Sequence, residues 1–163
     1  MTNKIRTALV FIMFCLPLWV FSKDATRVRF CFAGDLMQHG SQIRSARQAD
    51  GTYLYDTCFA FVRDRFYEAD YSAMNIETTF SGPPYTGYPS FSSPGQLAVA
   101  LKRAGVNVFL TANNHILDKD VRGAAKTIAL YDSLGVYHIG TTRPWIILEK
   151  NGINTAFLNY TYT

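Results

Sequence analysis

Residues 106–115 read VNVFLTANNH, and this stretch decides the fold class of the chain. Val106 to Thr111 is a β-branched and apolar run, which is typical of a buried strand. The cluster Asn113 to His115 comes almost directly after it, so polar side chains begin where the strand ends. Two amides and an imidazole are costly to place after a buried strand without a purpose, which favours a functional role over a simple bend.

Two earlier strands are also predicted to end at an acidic side chain. The segment from Arg27 to Ala33 becomes wholly apolar before Gly34 and Asp35, and Tyr71 to Ile76 closes on Glu77. Taken alone, Asp35 is equally well explained as a turn former or helix cap, and Glu77 as a loop cap or arginine partner. Their shared position after predicted strands is what makes them candidates for a site.

Helical patterns separate these strands. An amphipathic helix is predicted from Asp56 to Ala69, a second begins with Ser93 as its cap and stops at Gly105, and a third runs from Val121 to Leu134. The remaining predicted strands are 136–139, 145–148 and 153–159, with Asn151 and Gly152 turning the last pair into a hairpin. This order predicts an α/β fold with a mostly parallel sheet, flanking helices and a C-terminal hairpin.

In an open parallel sheet, the carboxyl ends of the strands meet at one edge, where binding groups gather. Asp35, Glu77 and the Asn113 to His115 cluster are therefore expected to lie together. Carboxylate and amide oxygens suit a hard divalent cation, imidazole widens the choice of metal, and a nearby histidine can protonate a leaving group. His39 is expected at the same rim, in a surface or supporting role, whereas His138 lies inside a predicted strand and is interpreted as structural.

The first residues have the character of an export signal. Lys4 and Arg6 precede an apolar run from Ala8 to Phe21, which is short for a membrane span. Residues 1–22 are therefore predicted to be a signal peptide cleaved after Ser22, or else a membrane anchor, with the protein on the periplasmic or extracellular face of the cell envelope. The two basic residues supply half of the formal net charge of +4, which argues against a nucleic-acid role.

Two further features concern the rest of the chain. Cys31 and Cys58 are too few for a disulfide framework, so buried thiols are expected. The chain stops soon after the apolar run from Ala156 to Leu158, which suggests a truncated domain.

Three ordered motifs resemble the CapA family of poly-γ-glutamate capsule synthesis proteins. They are Gly34-Asp35-Leu36-Met37, Asn75-Ile76-Glu77, and Ala112-Asn113-Asn114-His115 with Asp118. The resemblance extends through Arg143-Pro144 to Leu158-Asn159-Tyr160-Thr161 and covers essentially everything after residue 28. It implies a sandwich of the metallo-dependent phosphatase type, of which residues 27–163 would be the N-terminal part.

The same resemblance implies roles for individual side chains. It makes Asp35, Glu77 and Asn114 ligands of a divalent metal of unknown identity, and His115 the catalytic residue. Asn75, Asn113, Asp118 and His39 would support them by hydrogen bonds around the site. The chain departs from the family pattern at Lys119, where an aromatic residue is usual, and at Asp120, where glycine is usual.

The function implied is capsule or poly-γ-glutamate biosynthesis or processing, either as a metal-dependent hydrolase of amides or phosphoesters or as a non-catalytic accessory module with a degenerate metal site. The expected partners are the anionic polymer or a membrane-bound synthase complex, with residues 8–21 able to associate with the membrane. No nucleic-acid partner is expected.

Overall fold

The computed structural model describes residues 25–162, and the predicted signal segment lies outside them. Its elements along the chain are strand β1 (Phe30–Leu36), helix α1 (Gly40–Ala46), a 3₁₀ helix (Asp56–Phe59), α2 (Arg63–Tyr67), β2 (Tyr71–Ile76), α3 (Gln96–Arg103), β3 (Val108–Leu110), α4 (Asp120–Leu134), β4 (Tyr137–Ile139), β5 (Trp145–Lys150) and β6 (Ile153–Leu158). Between residues 25 and 162, no helix is both long and apolar enough to cross a membrane.

The first four strands form one parallel sheet in the order β1-β2-β3-β4, and β5 pairs with β6 as an antiparallel hairpin. The predicted α/β class is confirmed, including the hairpin. Asn151 and Gly152 both adopt positive φ, 54° and 77°, as a tight two-residue turn between twisted strands requires.

The sheet has a different cover on each face because strand side chains alternate. Met74 and Phe109 face a core shared with the helices, which includes Leu101 and Tyr131. Ala73 and Val108 point the other way, toward Leu148 and Phe157 of the hairpin. The molecule is thus layered as helices, sheet and hairpin.

Several predictions about local structure are wrong. The chain from Asp56 to Ala69 is not one helix but the 3₁₀ helix and α2, because Phe59 and Phe66 reach the same core from two short segments. Helix α3 begins after Gly95 rather than at a Ser93 cap. Ser93 is instead buried in the loop, where its hydroxyl bonds Thr78 at 2.8 Å and its N–H donates to Thr79 O at 2.8 Å.

Strand β1 also differs from the prediction. It continues through Asp35 to Leu36, with a register irregularity between Ala33 and Asp35. Asp35 is therefore the second-last residue of the strand and does not follow it. Strand β1 is an edge strand, and Phe32 on its hairpin side remains 67% exposed, so this strand is not buried as expected. Cys31 is half-buried and Cys58 exposed, and both are free thiols.

Candidate functional site

A ladder of side-chain amides joins the carboxyl ends of the first three strands. Asn75 Nδ2 donates to Asp35 Oδ1 at 2.7 Å, and Asn113 Nδ2 donates to Asn75 Oδ1 at 3.2 Å and to Ile76 O at 2.9 Å. Asn113 Oδ1 in turn accepts the N–H of His115 at 3.0 Å. Adjacent parallel strands end at the same level, so the ladder links Asp35 to His115 across three strands.

His115 is held by a carboxylate on one nitrogen and faces a second carboxylate with the other. Its Nδ1 lies 2.8 Å from Asp118 Oδ2, and its Nε2 lies 3.7 Å from Glu77 Oε1. The side chains of His115 and Asp118 are 14% and 13% exposed. Since an ionised carboxylate only accepts, we assign the proton of the neutral imidazole to Nδ1, which leaves the Nε2 lone pair toward Glu77.

Glu77 is a carboxyl group whose ionised form is disfavoured at this site. It extends the ladder beyond β2 by donating its N–H to Leu36 O at 2.9 Å, which fixes its backbone beside the end of β1. Burial raises the pKa of the Glu77 carboxyl, and the nearby Asp35 raises it further, while His115 acts in the opposite direction. A raised pKa from burial and like charge is common at functional sites, where two carboxylates share a proton or a cation.

The loop between β2 and α3 supports the histidine from above, which the sequence did not predict. Phe91 is buried, donates its N–H to Asp118 Oδ2 at 2.6 Å, and places its ring edge-on to His115 with 4.6 Å between centroids. Ser90 Oγ donates to Asp118 O at 2.9 Å and accepts from Lys119 Nζ at 2.8 Å. The available signal was an aromatic residue within a loop rich in Pro and Gly.

His39, predicted at the same rim, lies just before α1 and is exposed. Its ring packs against Phe91 with 6.0 Å between centroids and near Tyr88 at 6.4 Å. It therefore contacts the residue that covers His115.

A second unpredicted contact fixes the segment before the asparagines. Ala112 donates its N–H to Asn159 Oδ1 at 2.6 Å, which ties β6 to the end of β3. Gly140, at a φ of 116°, makes room for this contact, because a Cβ there would lie 2.3 Å from Ala112 N. An asparagine 47 residues away carries no local signal of this role.

The metal prediction can be compared with the donors present. Asp35 and Glu77 offer adjacent oxygen ligands of the type that hard cations prefer, and their mutual repulsion would be relieved by a cation. Asn114 is exposed at the end of β3. Within residues 25–162, no group of three or more His, Cys, Asp and Glu side chains is arranged to hold a metal ion. The two carboxylates fit a cation, and it would depend on Asn114 or other groups for further ligands.

Asp120 adopts a backbone conformation that is uncommon for a residue other than glycine. Its φ is 59°, in the left-handed region that glycine adopts easily. The side chain compensates by capping α4, since Oδ1 accepts the N–H groups of Arg122 at 2.6 Å and Gly123 at 3.3 Å.

The fold and the edge define an α/β protein whose polar site is built across parallel strand ends. The family model of the bacterial capsule synthesis protein PGA_cap matches residues 29–163, and the chain belongs to this family. Its membership indicates a role in bacterial capsule synthesis. No curated protein matches the chain.

Proposed function

We propose that this protein is a metal-dependent hydrolase that processes an anionic capsule polymer, poly-γ-glutamate, on the outer side of the cell membrane. The observation that carries the proposal is the orientation of His115, whose Nδ1 is held by Asp118 while Nε2 faces Glu77. The resemblance supplies the polymer, and the export signal predicted in residues 1–22 supplies the location.

His115 is the acid and base of the proposed reaction. Because Asp118 fixes the ring through Nδ1, Nε2 can take a proton from water or deliver one to the leaving nitrogen of a cleaved amide. An amide leaving group needs such a proton because an amine anion is a poor leaving group. A phosphoester at the same position would place the same demand on Nε2, at its leaving oxygen.

Asp35 and Glu77 are the proposed metal ligands, with Asn114 as a neutral third. A bound divalent cation would lower the pKa of a coordinated water and polarise the scissile carbonyl. The carboxylates contribute negative charge to hold the cation, and Asn75 orients Asp35 through the 2.7 Å hydrogen bond.

The test is hydrolysis of poly-γ-glutamate by the full-length protein with added Mg²⁺, Mn²⁺ or Zn²⁺. In a His115→Asn variant, we expect kcat to fall by about a hundredfold or more, the usual range for a lost general acid or base. The matched control is His138→Asn, which removes the other histidine paired with an aspartate. Activity that survives His115→Asn in a folded protein would disprove the assignment.

A second candidate is an accessory module that binds the polymer or a membrane-bound synthase without catalysis. The outer face of the hairpin favours it, since Trp145 and Leu158 are register partners and, with Ile147, form an exposed apolar strip. Metal analysis separates the two candidates. Full-length protein purified without chelator that holds no stoichiometric divalent metal, and shows no metal-stimulated hydrolysis, would be an accessory module.

A further inference from the structure

A cavity of about 300 Å³ opens beside the carboxyl end of β1. Its wall includes Leu36, Met37 and Gln38, the three residues that follow Asp35. The opposite wall comes from α1, the 3₁₀ helix with the residues before it, and Leu97 of α3. The lining therefore begins at Leu36, the residue after Asp35, and the size of the cavity falls at the lower end of ligand-binding pockets.

Gln38 is the unusual group in this cavity, because it is only 4% exposed and, among residues 25–162, its side chain bonds only Tyr55. Tyr55 donates its hydroxyl to Gln38 Oε1 at 3.1 Å. Burial raises the pKa of the Tyr55 phenol, so it stays a neutral donor. With Oε1 engaged by this donor, Nε2 bonds no atom among residues 25–162.

Because Gln38 lines the cavity, its Nε2 can donate to an acceptor that enters and displaces water from it. None of the lining residues is charged. A free carboxylate would lose its hydration there without a counter-charge, which excludes it as the group bound inside. A carbonyl oxygen has the right chemistry, and the apolar walls at Leu36, Phe59 and Leu97 suit methylene groups beside it.

We infer that this cavity binds a neutral amide segment of the polymer backbone, with Gln38 Nε2 donating to its carbonyl oxygen. The side-chain carboxylates of the polymer remain outside, in solvent. This inference rests on the proposed function, since it takes the polymer as substrate. Gln38 is then a specificity residue that distinguishes a polyamide from a polyanion with a carbon backbone.

The experiment measures binding of a short γ-linked glutamate oligomer to the full-length protein by calorimetry, with polyacrylate of matched charge as the second probe. Gln38→Leu is expected to weaken oligomer binding about tenfold, the loss of one buried hydrogen bond, and to leave polyacrylate binding unchanged. Gln38→Glu retains an acceptor for the Tyr55 hydroxyl while removing both donors, and it should weaken binding at least as much. Gln48→Leu is the control, because Gln48 is exposed and its side chain bonds only Ala46 O.

Each outcome bears on one idea. Oligomer affinity equal to wild type in folded Gln38→Leu and Gln38→Glu, or equal losses for oligomer and polyacrylate, overturns the cavity assignment. Absence of oligomer binding in the wild-type protein overturns it too. Hydrolysis that survives His115→Asn, together with binding that depends on Gln38, overturns the catalytic proposal and leaves the cavity assignment standing.

Discussion

Two histidine and aspartate pairs in this protein have nearly the same bond and different surroundings. His115 Nδ1 lies 2.8 Å from Asp118, and His138 Nε2 lies 2.9 Å from Asp132. The Asp118 side chain is 13% exposed, whereas that of Asp132 is 68% exposed. The free nitrogen of His115 faces Glu77, but His138 Nδ1 is buried without a partner among the residues of the described chain.

This difference shows that a histidine bonded to a carboxylate is not by itself a site. His138 sits within β4, where its unbonded nitrogen is sealed in the core beside Tyr131. His115 follows the end of β3, and its unbonded nitrogen faces Glu77, the residue after β2. Position relative to the strand end, rather than the hydrogen bond, decides whether the second nitrogen can reach a ligand.

The largest expected effect comes from replacing Asp118, and the same replacement at Asp132 is the comparison. Asp118→Asn removes the acceptor that fixes the His115 ring through Nδ1 and allows the wrong tautomer, so kcat for polymer hydrolysis should fall about a hundredfold or more. Asp132→Asn should leave kcat unchanged. The measurement is steady-state hydrolysis with divalent metal, with the thermal midpoint of each variant as the check on folding. Equal losses in the two variants would remove the distinction between the pairs.

A smaller effect is expected from Glu77, which faces His115, on the pH dependence of the free energy of unfolding. The folded protein binds the Glu77 proton more tightly than the unfolded chain, because its pKa is raised above the ordinary 4.5 by burial and by Asp35. The stabilisation is complete below the ordinary value and is lost as pH rises through the raised one. Without divalent metal, the free energy of unfolding should therefore decrease across this interval.

Glu77→Gln cannot ionise and should show a shallower decrease in urea unfolding measured at increasing pH with chelator present. The control is Glu68→Gln, since Glu68 is largely exposed and paired with Arg65 on the surface. If the free energy of unfolding decreases with pH as steeply in Glu77→Gln as in the wild type, the raised pKa of Glu77 is not the cause of the decrease.

The smallest effect is expected on the free energy of unfolding when Tyr131, which lies beside His138, is replaced. Tyr131 is fully buried, and its hydroxyl has no partner within residues 25–162, so burial alone raises the pKa of its phenol. Tyr131→Phe removes an unsatisfied polar group and should change the free energy of unfolding by at most about 1 kcal/mol, toward greater stability.

Tyr55→Phe is the matched comparison, because it removes a hydroxyl that donates to Gln38 and should destabilise by about 1 kcal/mol. Both are measured by urea unfolding. Destabilisation by Tyr131→Phe would indicate that its hydroxyl bonds a buried water, and the core beside His138 would then be better satisfied than the structure suggests.

Elements bounded by local sequence signals were predicted well. Strand β2 was predicted with its observed limits, Tyr71–Ile76, and α4 within one residue, because a short apolar run and the αL glycine at Gly135 are local signals. Ser93 was predicted as a helix cap, since its sequence neighbours favour it. In the structure, the Ser93 hydroxyl instead bonds that of Thr78, because the loop packs back against the end of β2.

The site was predicted in part for the same reason. Its polar side chains follow apolar runs, and parallel strands bring such ends together, so the meeting of Asp35, Glu77 and His115 needed only the strand order. Phe91 was missed because its contact with His115 joins a loop to a strand end 24 positions later in the sequence, and no period spans that distance.

The α/β class, the family and the polar residues at the strand ends could all be predicted from the sequence, since all three depend on local patterns and ordered motifs. Three features could not be predicted in this way: which histidine has a free nitrogen, which loop covers it, and where the Gln38 cavity lies. Those features depend on contacts between segments far apart in the chain, where burial and the direction of each donor are set by packing rather than by neighbours in sequence.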